Sequence, residues 1–316
     1  MKLNRREWLT TGGAAAAAVS LTGQFTEAAE ANVSTKPLGE RVSYCLNAST
    51  IMGQKLPIDQ FVDIAAKAGY NGIEPWIRDI EAYKNAGGSL SDLKKKIADL
   101  GLRVESAIGF ANWIVDDEEK RKSGIENLKR DMDLVSSIGG TRIAAPPAGA
   151  NGGDAPKLDL FTVAERYAAI LKVGDETGVT PQVEVWGPSK NLSRLGEAVF
   201  VAVESGHPKA CVLPDVYHVF RGGSSILGLN VVAGPAIHCF HFNDYPAEPE
   251  REKQNDADRV YPGNGVAPWK EIRETLDRIG FSGAASLELF NRSYWEQDAF
   301  EVAETGLRKM KAVLHA

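Results

Sequence analysis

What most constrains the fold is a rhythm. From residue 41 onward a short apolar, strand-like run is followed by a longer segment of helical periodicity, and the pair recurs. Strand-like runs occupy 41–48, 72–76, 103–109, 141–146, 181–186, 210–217, 237–243 and 284–290. Helical segments occupy 57–68, 89–100, 117–138, 159–177, 191–205, 224–233, 267–279 and 297–314. Glycine follows most of the helical segments, at Gly69, Gly101, Gly139, Gly178, Gly206, Gly234 and Gly280. That is a helix stop signal, because glycine takes the left-handed conformation cheaply. Eight strand–helix pairs in one stretch predict a single (β/α)8 TIM barrel of the α/β class. A doubly wound open sheet usually has fewer units, and no glycine-rich dinucleotide loop follows the first strand.

Residues 1–31 stand apart. They open with a basic region holding Arg5 and Arg6, continue through a Gly/Ala run, and end on Ala29-Glu30-Ala31, a small-x-small cleavage site. This is the layout of an export signal. Paired arginines followed by Glu7, Trp8 and Leu9 match the twin-arginine type. The run 12–18 is too short and too weakly apolar to span a bilayer. The expectation is a signal peptide over 1–31, a periplasmic or other extracytoplasmic destination, and one barrel domain over 32–316.

Composition excludes several classes. A net charge of −6 disfavours broad binding to a phosphate backbone, so no nucleic-acid partner is expected. No later apolar run reaches membrane-spanning length, so the mature chain is expected to have no membrane partner. Cys45, Cys211 and Cys239 are odd in number, widely spaced and set in apolar runs, which reads as buried thiols rather than a disulfide framework.

Barrel enzymes carry their chemistry at the C-terminal ends of strands. Glu184 lies late in "TPQVEVWG", Asp215 and His218 in "VLPDVYHVF", His241 late in "IHCFHFND" and Glu288 late in "AASLELF". Alternation along a strand sends Glu184, Asp215, His241 and Glu288 toward one axis and His238 toward the helix layer. Three converging carboxylates repel one another, and a divalent cation relieves that repulsion. A carboxylate-rich set with one imidazole suits Mn2+, Mg2+, Co2+ or Zn2+, the carboxylate majority favouring the harder ions. Trp76, Trp113 and Trp186 end or follow strands and could offer flat faces to a sugar. Glu74 could hydrogen-bond substrate or pair with a cation. The stretch 246–268 is the longest irregular one and would lie over the top face; Arg251 and Arg259 within it read as solvated loop charges.

The ordered motifs "GYNGIE" (69–74), "VEVW" (183–186), "DVYH" (215–218), "HFND" (241–244), "PGNG" (262–265) and "LELF" (287–290) resemble those of the xylose-isomerase-like TIM barrels, the sugar phosphate isomerase/epimerase type. Asn243 stands where many relatives carry Lys. The resemblance covers about residues 41–314. It implies one divalent metal, frequently Mn2+, on Glu184, Asp215, His241 and Glu288, with His218 contacting substrate. It also implies Glu184 and Glu288 as the catalytic pair that removes and returns a proton α to a carbonyl through a metal-stabilised enediolate. The expected partner is a small sugar or keto sugar, and barrels of this family often form homodimers. The leading expectation is a sugar isomerase or epimerase. The alternative is a lyase or hydratase acting on 3-keto sugars, glycosides or inositol-like compounds, which export favours. A non-catalytic sugar-binding protein leaves the three carboxylates unexplained. An endonuclease-IV-like enzyme would need more than the five histidines present and a basic face.

Overall fold

A computed structural model describes residues 36–316, so the signal reading of 1–31 lies outside the described residues. Eight parallel strands follow one another as β1 (Ser43–Asn47), β2 (Gly72–Glu74), β3 (Arg103–Val104), β4 (Arg142–Ala145), β5 (Thr180–Glu184), β6 (Val212–Leu213), β7 (Cys239–Phe242) and β8 (Ala284–Leu287). Regular ladders run β3-β2-β1-β8-β7 and β4-β5-β6. Two seams complete the cylinder. The amide of Ala144 donates to the carbonyl of Ala107 at 2.8 Å beyond β3, and Asp215 bridges His241 between β6 and β7.

Helices clothe the barrel because each has one apolar stripe. The helix Ile58–Ala68 buries Ile58, Phe61, Val62 and Ala65, a spacing of three and four that defines one face. Each large side chain so buried contributes about 1.5–3 kcal/mol before entropy is counted. Six of the seven expected glycine stops have φ between +61° and +90°. Gly234 is the exception and opens a 3-10 turn, Gly234–Ala236.

Several elements differ from the expectation, among them strand three, which ends at Val104 rather than at 109. Between β2 and β3 the chain makes two helices, Ile77–Asn85 and Leu90–Asp99, where periodicity gave only the second. The segment 224–233 is a 3-10 helix over Ile226–Val231. There Ile226, Leu229 and Val232 are buried at a strict spacing of three, the period of that helix. Strand six stops at Leu213 rather than running to 217, because Pro214 breaks the ladder and Asp215 starts a helix, Val216–Arg221. Cys45, Cys211 and Cys239 are buried and unpaired, as expected.

Candidate metal-binding active site

The site grows from the ends of these strands. Asp215 is the N-cap of the helix Val216–Arg221, and its Oδ1 accepts the His218 amide at 2.8 Å. The two polar residues three apart in "VLPDVYHVF" are therefore a cap and its first turn, not two strand positions. The other oxygen, Oδ2, accepts from Asn243 Nδ2 at 3.0 Å and Arg259 Nη1 at 2.8 Å. Asn243 also receives the Tyr217 amide at 2.8 Å, so it fixes both the carboxylate and the helix start.

His241 is the centre of the cluster. Its Nε2 faces Glu74 Oε2 at 3.1 Å; a carboxylate can only accept there, so Nε2 carries the proton. Its Nδ1 has no hydrogen-bond partner although it is fully buried. Around Nδ1 stand Glu288 Oε2 at 3.2 Å, Glu184 Oε1 at 3.7 Å and Asp215 Oδ2 at 3.7 Å. Bonds of about 2.0–2.2 Å to a metal place neighbouring ligand atoms about 3–3.5 Å apart. Asp215, His241 and Glu288 offer ligand atoms that all lie within 4.8 Å of one another; Glu184 approaches the same His241 nitrogen at 3.7 Å but stands outside that mutual group. The four come from β5, β7 and the segments just beyond β6 and β8. An imidazole nitrogen without a hydrogen-bond partner and facing three carboxylates fits a divalent cation.

The surrounding charges agree with this reading. Burial pushes Glu184 up to about 8, with Glu288 adding to the rise and His241 opposing it. Burial disfavours charge on His241, yet Glu288 and Glu74 hold the ring well above the ordinary histidine range. Protons thus balance part of the crowded negative charge, and a bound dication would displace them. Burial also opposes charge on Asp215, but Arg259 keeps its carboxyl well below the usual range.

Glu74 is enclosed by side chains rather than open at the mouth. It is fully buried, and its Oε2 also accepts from Asn47 Nδ2 at 2.9 Å and Ser286 Oγ at 2.7 Å. It anchors His241 from behind, the arrangement that orients metal-ligating imidazoles. Asn47 reaches Glu288 Oε1 as well, at 3.2 Å. Sequence reasoning passed over Asn47; its signal was a single polar residue ending the buried run "SYCLN".

Arg259 corrects the expectation of a solvated loop charge. It is 1% exposed and reaches down from the 246–268 stretch. Besides Asp215 it serves Glu288 Oε2 at 2.8 Å, Asp256 Oδ1 at 2.5 Å and His218 Nε2 at 3.0 Å. Guanidinium only donates, so His218 Nε2 accepts and the ring proton sits on Nδ1. That Nδ1 is buried without a partner. Burial first, and Arg259 with it, lower His218 below the ordinary range against the pull of Asp215, so the ring is neutral. The loop itself is framed: Arg221 donates to the carbonyls of Gln254 and Glu252 at 2.9 Å, and buried Gln254 ties Pro246 to Pro249. Arg251 stays exposed, paired with Glu252.

Aromatic rings border the cluster. Phe290, Trp76, Phe110, Trp186 and His218 follow one another with centroids 5.1–6.4 Å apart. Trp186 stands in this series between Phe110 and His218. Phe110, 44% exposed at its middle, was not anticipated. Trp113 is not part of it: the ring is fully buried, donates to the Pro146 carbonyl at 2.7 Å and packs on Tyr167. His238 lies half-buried away from the site, beside a cavity on the opposite end of the barrel with Arg142.

Comparisons with known proteins place this geometry. The profile described as Xylose isomerase-like TIM barrel matches residues 62–313. The chain is similar to an inosose isomerase of Bacillus velezensis (strain DSM 23117), 23% identical over 271 residues, spanning 85% of this chain and 96% of that one. It is similar to a 3-dehydroshikimate dehydratase of Pseudomonas aeruginosa, 24% identical and covering 79% of this chain but 38% of that protein. A 1.8 Å crystal structure of the IOLI protein with a binding zinc atom aligns at TM-score 0.78 and 21% identity, over 86% of this chain and 98% of that one. The barrel assignment follows.

Proposed function

The chain belongs to the xylose isomerase-like TIM barrel family, and from that premise we propose a divalent-metal enzyme that moves a proton at the carbon beside a sugar carbonyl, as isomerase or epimerase. The observation that carries the proposal is the unpartnered Nδ1 of His241, ringed by Glu184, Asp215 and Glu288 at 3.2–3.7 Å. Those four residues would hold the ion. Once bound, it supplies Lewis-acid polarisation of a carbonyl and an adjacent hydroxyl. The carboxylate majority favours Mn2+ or Mg2+ over softer ions.

The protein's own groups do the rest. Glu184 and Glu288 come from β5 and the end of β8, on different sides of the mouth; one takes the proton from carbon and the other returns it. His218 presents a neutral Nδ1–H to a substrate oxygen. Arg259 holds Asp215, Glu288 and His218 in place and covers the site from water. Trp76, Phe110 and Trp186 offer apolar faces to the C–H surface of a sugar. The signal-like sequence of residues 1–31 supports an extracytoplasmic location as part of this proposal.

The lyase reading has its own support. Elimination needs an acid for the departing oxygen, and the unpartnered Nδ1–H of His218 is such a group. A relative named as a dehydratase agrees with it. The test is metal analysis of the purified protein, chelation and reconstitution, then solvent-deuterium uptake on a panel of keto sugars. Deuterium in recovered sugar or its epimer supports isomerase chemistry, and loss of a β-substituent supports the lyase. A protein that binds no divalent metal, or that leaves every C–H unexchanged when loaded, refutes the proposal.

A further inference from the structure

Beside the metal cluster, still on the catalytic face, lies a separate cavity of about 810 Å3. None of the four ligands, nor Arg259, lines it. Its walls come from the loop after β1, the first turn after β2 and the short helix Arg292–Trp295 after β8. These are the same three chain segments that deliver Asn47, Glu74 and Glu288 to the cluster. Ala48 and Met52 of the cavity lining belong to the same packed cluster as Trp76 and Phe290; Trp76 in turn donates to Asn47 Oδ1 at 3.1 Å, packs edge-on against Phe290 and carries the Arg78 guanidinium 4.3 Å from its ring centroid.

The cavity's chemistry is unlike that of the cluster. Met52, Leu56, Phe61 and Trp295 make its walls apolar and offer one large flat ring. Lys55, Arg78 and Arg292 stand against Asp79 and Glu296 in its lining; Arg78 pairs with Asp79 at 3.5 Å, which leaves Arg292 and Lys55 as the lining cations without an ion pair among the described residues. Its volume falls in the upper part of the roughly 300–1,000 Å3 range of small-molecule sites.

We propose that this cavity is a second subsite, which receives an aromatic group attached to the reacting sugar and bearing an acidic or phenolic oxygen. Apolar walls and Trp295 would take the ring, and Arg292 with Lys55 would meet the oxygen. The substrate class is then an aryl glycoside whose sugar already carries a keto group, so that the carbonyl reacts at the metal and the aryl group lies beside Trp76 and Phe290. The inference rests on the sugar-directed reading of the metal site, but its test is separate.

Binding of 4-carboxyphenyl, phenyl and methyl β-D-glucopyranosides to the full Mn2+-loaded protein is measured by calorimetry. Aryl glucosides should bind at least tenfold more tightly than the methyl compound. Leu56→Trp, which fills the cavity, should remove that advantage and leave methyl glucoside binding and keto-sugar exchange unchanged. Arg292→Ala, an exposed change, should weaken the carboxyphenyl compound several-fold and spare the phenyl one; it serves as the second variant if Leu56→Trp folds poorly. Equal affinities for aryl and methyl compounds, or an aryl advantage that survives in a folded Leu56→Trp protein, overturns the subsite. Absence of C–H exchange on every keto sugar sinks the metal-site reading instead, while an aryl preference measured by binding would stand.

Discussion

Replacing Glu74 by Gln is the most searching perturbation of the site. Glu74 is fully buried, and its Oε2 accepts from His241 Nε2, Asn47 Nδ2 and Ser286 Oγ at 3.1, 2.9 and 2.7 Å. Gln keeps the shape and can keep one acceptor oxygen toward all three donors, turning its NH2 toward Cys239 Sγ, which lies 3.7 Å from Oε1. What it loses is the negative charge that makes His241 a better donor to a metal through Nδ1. Loss of such a supporting carboxylate costs about 10–100-fold in metal affinity, which is about 1.4–2.7 kcal/mol. Because the geometry survives, the expected loss is near tenfold. Glu74→Ala should do worse, since it strands three buried donors at about 1–3 kcal/mol each, and it should destabilise the fold as well. Competition against a chelating dye at fixed pH measures the affinity, and circular dichroism with urea titration reads the fold. A Gln variant that binds Mn2+ within twofold of the parent would refute the argument that Glu74 acts through His241.

Arg259→Ala should cost the metal-free protein about 3–5 kcal/mol of stability, because Asp215 and Glu288 would lose their buried partner; a loss under about 1 kcal/mol in denaturant titration would return Arg259 to a loose surface role. Trp113→Phe should cost about 1–3 kcal/mol by stranding the buried Pro146 carbonyl while leaving KM unchanged; a raised KM with unchanged stability would restore Trp113 to the substrate. Burial, aided by Arg142, lowers His238 to about 4. The unfolded chain therefore takes up this proton first as pH falls from about 6.5 toward 4, and stability falls with it. His238→Gln should flatten that slope by about 1–2 kcal/mol after allowance for its partial exposure, as read from unfolding free energies at pH 7 and 4.5; an identical slope in the variant would refute the assignment.

The sequence by itself determined the number and order of the strands, six of the glycine stops and the identity of the four residues that converge at the barrel mouth. These are properties of local periodicity and backbone conformation, which a chain carries along its length. Tertiary structure decided what those residues do to one another. Whether Glu74 meets substrate or stands behind His241 depends on which atoms close around its carboxylate, and Asn47, Ser286 and His241 are far apart in sequence. Arg259 looked like one more charge in an acidic loop until the loop folded back and aimed it at Asp215 and Glu288. Trp113 looked like Trp186, and only depth of burial separates them. Direction and partnership at a site are set by contacts between distant segments, so no pattern read along the chain could supply them.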